Sequence, residues 1–315
     1  VSNTTGNYNN AMGYSTMYSA KSGSNNNAFG TQALNSNWGG CYNNALGRCA
    51  LHENTTGSNN TAIGNNAVHK NTTGGCNIGI GESALYNNTT GAHNAAIGYH
   101  ALNANTTGGN NFAVGCLALN ANITGTNNTA IGYWALCGNT TGGCNIGIGR
   151  NALQKSLSGC HNFAAGPCAL YSNWGGCNNT AIGCDALCGN TSGGCNTAIG
   201  NRALRYNTIG CNNTAIGCGA LLTNTSGDYN NAIGCNALVS NTTGSYNNAI
   251  GKQTLNYNTT GSYNTALGVN VLLNNTTGGS NIGIGNNALY SNISGACNTA
   301  IGNYALNKNT TGCFN

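Results

Sequence analysis

The sequence predicts an all-β fold, a parallel β-solenoid (β-helix or β-roll) of 17-residue coils. Counting Asn3 as repeat position 1, the register N-T-T-G-x-x-N-x-A-I-G-x-x-A-L-x-x runs through eighteen complete copies to Lys308 without insertion or deletion. Glycine occupies positions 4 and 11 of every complete copy, and the segment N-x-A-I-G alternates large and small side chains. A period with no length variation means that every copy contacts its neighbours in the same way, which is typical of a solenoid. We therefore expect residues 1–315 to form one rod, with a partial repeat over residues 309–315.

Each repeat position has an expected place in the coil. The alternation at positions 8 to 11 predicts a short strand, and the glycines at positions 4 and 11 predict corners where a positive φ or a close backbone approach excludes a Cβ. Position 7 is Asn in every copy, which predicts a ladder of side-chain amides along the axis. The Ile column at position 10 and the Leu column at position 15 are expected to form a thin core. Eighteen coils stacked at about 4.8 Å would make a rod of roughly 85 Å.

The small residues at positions 9 and 14, such as Ala62 and Ala67, have two interpretations. A coil this narrow has difficulty burying both faces of its strands, so a second face could meet another chain in an oligomeric bundle. Alternatively, the alanines line a tight corner. The periodicity leaves both interpretations open.

Composition excludes several functional classes. Charged residues make up 4% of the chain, and a net charge of +5 spread over its length cannot form the basic stripe that nucleic acid or an anionic membrane requires. Simple disorder is disfavoured because 39% of the residues are hydrophobic. No apolar run approaches the roughly 18 residues of a membrane span.

The sequence predicts no enzyme, no cofactor and no metal site. The four acidic residues, Glu53, Glu82, Asp185 and Asp228, fall in four different coils, so no carboxylate pair is close enough for acid–base chemistry. The histidines are scattered over variable positions. One cluster, Cys160, His161 and Cys168, is compatible with zinc, but a surface histidine beside a disulfide fits equally well.

The 17 cysteines occur only at positions 5, 6, 12, 13 and 16, and they point to an oxidising, extracellular setting. Their placement is correlated, and it predicts six local disulfides: Cys41 with Cys49, Cys137 with Cys144, Cys160 with Cys168, Cys177 with Cys184, Cys188 with Cys195, and Cys211 with Cys218. Competing pairings run up the columns, between Cys160 and Cys177 or between Cys218 and Cys235, which lie one coil apart. Free buried thiols are the remaining alternative.

Repeat position 1 often forms the N-x-T/S sequence of N-glycosylation. The fourteen candidates are Asn3, Asn54, Asn71, Asn88, Asn105, Asn122, Asn139, Asn190, Asn224, Asn241, Asn258, Asn275, Asn292 and Asn309. The alternative is that Asn and Thr make turn hydrogen bonds, which the repeat would copy with or without glycans.

The repeats also resemble a known class of protein. NTTGSYNNAIGKQTL, from Asn241 to Leu255, and NTTGSNNTAIGNNAV, from Asn54 to Val68, resemble the Asn/Gly-rich repeats of phage-tail-fibre-like and bacterial surface fibre proteins. More distantly, A-I-G-x-x-A is similar to the head repeats of trimeric autotransporter adhesins. The resemblance implies a secreted or surface-displayed fibre, often trimeric, on a cell or virion, and it assigns no catalytic residue.

Three functions are therefore in contention. The leading one is the shaft of an extracellular filament, stapled by disulfides and carrying N-glycans if the sequons are used. The second is an adhesin or tail-fibre-like receptor binder, in which the tyrosines at position 6 (Tyr8, Tyr42, Tyr229, Tyr246 and Tyr263) could stack on sugars. The third is an ice-binding solenoid, which needs flat, regular rows of Thr along the strands, whereas here the paired Thr lie next to a corner Gly and strand position 8 varies among Asn, Thr, Ile, Phe and Ala. The expected partners are other copies of the chain, in a lateral bundle or a head-to-tail fibre. Because neither end of the sequence carries a cap, we expect the rod to continue, either within a longer polypeptide or by head-to-tail stacking of chains.

Overall fold

The computed structural model describes residues 4–315, and the chain falls into two compact units, Val1–Ser158 and Gly159–Asn315. Both units are all-β. Every coil contributes one three-residue strand and no helix is present in the described part of the chain. The predicted parallel β-solenoid is confirmed.

The nine strands of the first unit occupy positions 8 to 10 of successive repeats. They are β1 (Asn10–Met12), β2 (Asn27–Phe29), β3 (Asn44–Leu46), β4 (Thr61–Ile63), β5 (Ile78–Ile80), β6 (Ala95–Ile97), β7 (Phe112–Val114), β8 (Thr129–Ile131) and β9 (Ile146–Ile148).

The nine strands of the second unit occupy the same positions. They are β10 (Phe163–Ala165), β11 (Thr180–Ile182), β12 (Thr197–Ile199), β13 (Thr214–Ile216), β14 (Asn231–Ile233), β15 (Asn248–Ile250), β16 (Thr265–Leu267), β17 (Ile282–Ile284) and β18 (Thr299–Ile301).

Within each unit, consecutive strands pair in parallel with an offset of one repeat. Thr61 lies opposite Ile78 and Ala62 lies opposite Gly79 in the first unit, and Thr180 lies opposite Thr197 in the second. Because the offset equals the period, residues at the same repeat position stack directly on one another. Every repeat position is therefore a column of side chains along the coil axis.

The core contains the columns at positions 9, 14 and 15. In one coil, Ala96, Ala101 and Leu102 are all 0% exposed. The prediction for position 15 is confirmed, but the prediction that the position 10 column lies in the core was wrong. Ile97, at position 10 of the same coil, is 37% exposed, and no described residue at position 10 is buried.

The reason for this reversal is the thinness of the coil. Gly147 takes the place of the usual alanine at position 9, and a Cβ added there would lie 3.3 Å from the Leu136 side chain. Only a methyl group or a hydrogen fits between the strand and the leucine column at native packing density. The large residue at position 10 must therefore point outward.

The alanines at positions 9 and 14 now have an explanation within a single chain. Ala62 and Ala67 are fully buried inside their coil. They fill the interior of the coil, a place that neither interpretation gave them, and Ala62 lies within strand β4. The apolar surface that remains outside the coil is the column at position 10.

The predicted asparagine ladder at position 7 is confirmed. The Asn77 Nδ2 donates to the Gly91 carbonyl at 2.9 Å, and the Asn77 Oδ1 accepts from the backbone N–H of Asn94 at 3.0 Å. Its own N–H donates in turn to Asn60 Oδ1 at 2.9 Å. These side chains are buried, so the ladder satisfies backbone groups that water cannot reach.

A second ladder, at position 1, was not predicted. Asn71 Nδ2 donates to the Asn54 Oδ1 of the preceding coil at 2.7 Å and to the carbonyl of Gly74 at 2.8 Å. Asn54 and Asn71 are both 0% exposed. The two ladders line the polar side of an interior whose other side is alanine and leucine.

The glycines at positions 4 and 11 act in the two ways that were expected. Gly98, at position 11, has φ +136°, and a Cβ there would lie 2.6 Å from the Gly115 carbonyl oxygen of the next coil. Gly159, at position 4, does not need a positive φ, but an added Cβ would lie 2.6 Å from the Gly176 oxygen. Close stacking of backbone on backbone therefore excludes a side chain at both corners.

Three further positions adopt left-handed backbone without glycine. In one coil, His93, His100 and Leu102 at positions 6, 13 and 15 have φ of 60°, 50° and 53°. A left-handed leucine is uncommon. Here burial of its side chain and the hydrogen bond from its N–H to the Ala118 carbonyl at 2.9 Å hold it in place.

Substitution of a ladder asparagine tests this account. Asn77→Ala would leave the buried Asn94 N–H without its acceptor, and an unsatisfied buried group costs about 1–3 kcal/mol. The Gly91 carbonyl would lose one of its two donors and keep Asn88 Nδ2. We expect the urea midpoint to fall and hydrogen exchange at the Asn94 amide to accelerate. The matched control is Asn65→Ala, on an exposed side chain, with an expected change within about 0.5 kcal/mol. Equal midpoints for the two variants would contradict a structural ladder.

Candidate functional site

Three of the four acidic side chains contact other groups, and none of these contacts joins two carboxylates into a catalytic pair. Asp185 pairs with Arg205, with Oδ2 and Nη2 3.3 Å apart. Asp228 Oδ1 accepts the backbone N–H of Cys211 at 2.6 Å, and Glu53 lies beside His69. Each of these three carboxylates is thus engaged with a different group, in a different coil.

The sequon asparagines point into the coil. In the described part of the chain, twelve of the candidates, from Asn54 to Asn292, are 0% exposed. They belong to the position 1 ladder, and their Nδ2 atoms donate hydrogen bonds within it. Asn241 Nδ2, for example, donates to Asn224 Oδ1 at 2.8 Å and to the Gly244 carbonyl at 2.9 Å. N-glycosylation would attach a glycan at this nitrogen, which is buried and hydrogen-bonded, so the folded coil has no room for a glycan. The structure favours the interpretation that Asn is present for its hydrogen bonds.

The two remaining sequon candidates differ from the other twelve. Asn309 is only partly buried, but its Nδ2 makes the same two ladder bonds, to Asn292 Oδ1 and the Gly312 carbonyl, at 3.0 Å each. Asn3 lies outside the described residues. The threonines that follow position 1 also bond along the axis, since Thr55 Oγ1 donates to the Thr72 carbonyl at 2.8 Å.

No pair of cysteine sulfurs lies at disulfide bonding distance in residues 4–315. The six local pairings therefore stay predictions. Among the competing column pairs, Cys160 Sγ and Cys177 Sγ are 2.8 Å apart, because both occupy position 5 of successive coils. This column contact is one of the alternatives that the sequence left open.

The two thiols at position 16 are distinguished by a raised pKa. Burial raises the pKa of the Cys188 thiol to about 11, and the neighbouring Asp185 carboxylate adds to the rise while Arg205 opposes it. Burial also raises the pKa of Cys137, with a smaller contribution from Cys116. Their predicted disulfide partners, Cys144 and Cys195, are exposed. A thiol with a raised pKa supplies little thiolate at neutral pH, so Cys137 and Cys188 are expected to be weak nucleophiles.

One grouping of titratable residues escaped the sequence analysis. His52 and His69 occupy position 16 of adjacent coils, and their rings stack 5.0 Å apart at an interplanar angle of 8°. Tyr86 continues the column, 4.9 Å from His69. Burial, followed by the proximity of His52, lowers the pKa of His69, and Glu53 partly counteracts this shift. The spacing of 17 between two histidines was the available signal.

The outward column at position 10 forms an apolar face in each unit. In the first unit its members are Met12, Phe29, Leu46, Ile63, Ile80, Ile97, Val114, Ile131 and Ile148, and in the second Ala165, Ile182, Ile199, Ile216, Ile233, Ile250, Leu267, Ile284 and Ile301. We call these the position 10 faces. A shallow depression of about 300 Å³, lined by Phe29, Leu46 and Ile63, lies on the first of them.

The tyrosines at position 6 form a shorter column. Tyr229, Tyr246 and Tyr263 are stacked with ring centroids 5.0 and 5.1 Å apart and interplanar angles of 8° and 2°. Each ring is about half exposed. Tyr246 has a tyrosine over each face, so only its edge remains for an external ligand, whereas Tyr229 and Tyr263 each have one face covered by Tyr246.

No protein-family model and no curated protein matches this sequence. The described residues also contain no helix that is long and apolar enough to cross a membrane.

The Cys160–Cys177 contact predicts which disulfide forms first. Mild oxidation with glutathione disulfide should join these two sulfurs, with one glutathione disulfide reduced to two glutathione thiols, because their Sγ atoms need only about 0.8 Å of movement to reach an S–S bond. Nonreducing peptide mass spectrometry should find this cross-link, and Cys177→Ser should abolish it. Cross-linking of Cys160 to Cys168 in the unsubstituted chain would contradict the prediction.

The raised pKa of Cys188 predicts slow alkylation. At pH 8, iodoacetamide should label Cys188 at least about tenfold more slowly than the exposed Cys195, because less of the Cys188 thiol is ionised and reachable. The rate at Cys188 should keep increasing as the pH rises toward its pKa of about 11. Peptide mass spectrometry over a time course measures both rates. Equal rates at pH 8 would show that Cys188 is not protected.

Proposed function

We propose that this chain is a structural protein that forms the shaft of an extracellular fibre, in which copies associate side by side. The observation that carries the proposal is the position 10 face, an uninterrupted outward column of apolar side chains in each unit. Ile182, Ile199 and Ile216 show its regularity, with 38%, 36% and 36% of each residue exposed. Contiguous exposed apolar surface of this kind marks an interaction site.

A second copy is the occupant that fits this face best. Its side chains recur at the spacing of the coils, about 4.8 Å, and the partner needs the same repeat to match them over any length. The face itself bears no charge, so two such faces can approach without burying an unpaired ion. Sheets pack face to face in this manner at about 10 Å.

The area of the position 10 face makes the strength of side-by-side association depend on the number of coils that are aligned. Nine strands of three residues cover a footprint of the order of 400 Å², about half of what each partner contributes to a standard stable interface. Side-by-side association of one unit is therefore weak, and it gains strength as more coils align. This dependence suits a long filament.

The interior supports the same role. Asparagine ladders, alanines and leucines occupy it in most coils, with substitutions such as Val68 for leucine and Ser156 for asparagine, so the core requires no ligand. The proposed extracellular location rests on the 17 cysteines, which could form disulfide bonds in an oxidising compartment. The proposal includes no enzymatic activity and no membrane insertion.

The tyrosine column keeps the adhesin as a second candidate. Tyr229, Tyr246 and Tyr263 are exposed, but their faces cover one another. Stacking on a sugar needs a free ring face, which Tyr246 lacks, so at most the two end rings of this column could hold a sugar. An ice-binding role would draw on the run Thr180, Thr197 and Thr214, yet isoleucine, not a second threonine, lies beside it at position 10.

The proposal is tested by charging the face. The triple variant Ile182→Lys, Ile199→Lys and Ile216→Lys places like charges one coil apart, where side-by-side packing would bury them. We expect the unsubstituted chain to form bundles in electron micrographs and to sediment. The variant, in which only the face of the second unit is charged, should bundle much less and give the same circular dichroism.

The matched control carries the same added charge elsewhere. Ser192→Lys, Asn201→Lys and Asn212→Lys change exposed polar residues off the position 10 face, and this control should bundle like the unsubstituted chain. Bundling of the isoleucine variant to the same extent as the control, or a monodisperse unsubstituted chain at high concentration, would overturn the proposal. Thermal hysteresis in a solution of the unsubstituted chain would instead support the ice-binding candidate.

A further inference from the structure

The stacked histidines of the first unit leave two polar atoms without a partner. The Nδ1 atoms of His52 and His69 are both shielded from solvent, and neither atom makes a hydrogen bond. Buried polar atoms are almost always satisfied, and an exception needs an explanation. Two such nitrogens in one stacked pair point to a ligand that both can bind.

A carboxylate lies beside the two rings. Glu53 Oε1 is 3.9 Å from His69 Nδ1, which is too long for a hydrogen bond. One ligand atom from each of His52, Glu53 and His69 lies within 4.8 Å of the other two. The Glu53 side chain is 48% exposed and the His69 side chain is 15% exposed, so the group is reached from solvent on the carboxylate side.

We propose that His52, Glu53 and His69 form a binding site for one divalent transition-metal ion of the zinc type. Two imidazoles and one carboxylate are a donor set that suits Zn²⁺, Co²⁺ or Ni²⁺, and they do not suit Mg²⁺ or Ca²⁺, which take oxygen ligands. The solvent side leaves the remaining coordination to water.

The geometry requires a modest closure on binding. Zinc–nitrogen bonds of about 2.0–2.1 Å hold the donors of a tetrahedral site roughly 3.3 Å apart. The three donors must therefore approach one another from their present separation of up to 4.8 Å. Rotation of the exposed Glu53 supplies part of this movement, and a tilt of the two rings out of their parallel stack supplies the rest.

The surrounding charges do not block the site. Lys70 is the nearby cation, but its Nζ lies over the Tyr86 ring, 5.3 Å from the ring centroid, in the direction of the next coil. Tyr86 covers the other face of His69 and limits how far that ring can turn. Glu53 supplies the negative charge that offsets the ion.

The test must distinguish this site from the many thiols. We would label the chain with ¹⁵N-histidine and titrate it with Co²⁺, whose paramagnetism broadens the ring signals of the histidines that bind it. Signals of His52 and His69 should broaden together at the lowest Co²⁺ additions, before those of His93, His100 and His161. Zn²⁺ should then displace Co²⁺ and restore the lines at shifted positions.

Variants assign the ligands. Glu53→Gln keeps the size of the side chain and the ring stack but removes the charge, and it should weaken Co²⁺ binding by about tenfold or more. His69→Gln should abolish the joint broadening, and His100→Gln, at a histidine that contacts Tyr99, should leave it unchanged. Circular dichroism checks that each variant is folded.

Other outcomes would overturn the proposal. Broadening that begins at His161, between Cys160 and Cys168, would place the metal on thiols and not on this site. Uniform broadening of all five histidines, or no broadening at tenfold excess of Co²⁺, would show that the stack is structural only. Glu53→Gln with unchanged affinity would remove the carboxylate from the ligand set.

Discussion

Stacking of every residue on its equivalent in the next coil is the constraint on which the structure depends. Most backbone hydrogen bonds between coils, and the amide-to-amide bonds of the Asn columns at positions 1 and 7, run along the axis, while a few bonds such as that from Asn71 Nδ2 to the Gly74 carbonyl close a corner within one coil. Asn60 illustrates this, since it bonds to Asn43 of the preceding coil and to the Gly74 carbonyl of the following one. An insertion in one coil would break both ladders at once, which accounts for the absence of any length variation in the repeat. Buried amides without partners are costly, so the ladders also fix the register.

The same constraint gives the surface its chemistry. Any residue type that recurs at one position in adjacent coils becomes a local cluster, whatever its role. Isoleucine at position 10 produces an apolar face, tyrosine at position 6 a ring stack, and cysteine at position 5 a pair of close sulfurs. Two histidines at position 16 produce a stacked pair beside a carboxylate. A repetitive scaffold can thus carry a local site where its variable positions coincide in neighbouring coils.

The glycosylation candidates show how a motif and its setting can disagree. N-x-T/S is satisfied at fourteen positions, but the asparagine of the motif is a ladder residue. Asn105 is fully buried, and its Nδ2 donates to Asn88 Oδ1 and to the Gly108 carbonyl. Both of its amide hydrogens are therefore in use. The threonine between the two residues of the motif serves the same corner, because its hydroxyl bonds to the next coil, as Thr106 does to the Ile123 carbonyl.

The sequence by itself determined the solenoid, the strand positions, the asparagine ladder at position 7 and the glycine corners, because each follows from an invariant residue at a fixed period. It did not determine which face of the strand points inward. An alternation such as that of Ala96 and Ile97 identifies two faces, but only the short distance across the coil assigns the methyl group to the interior and the isoleucine to solvent. Contacts between variable positions, such as Cys160 with Cys177 or His52 with His69, likewise needed the tertiary structure. The period brings their backbones together, whereas the direction and burial of each side chain depend on the local shape of the corner.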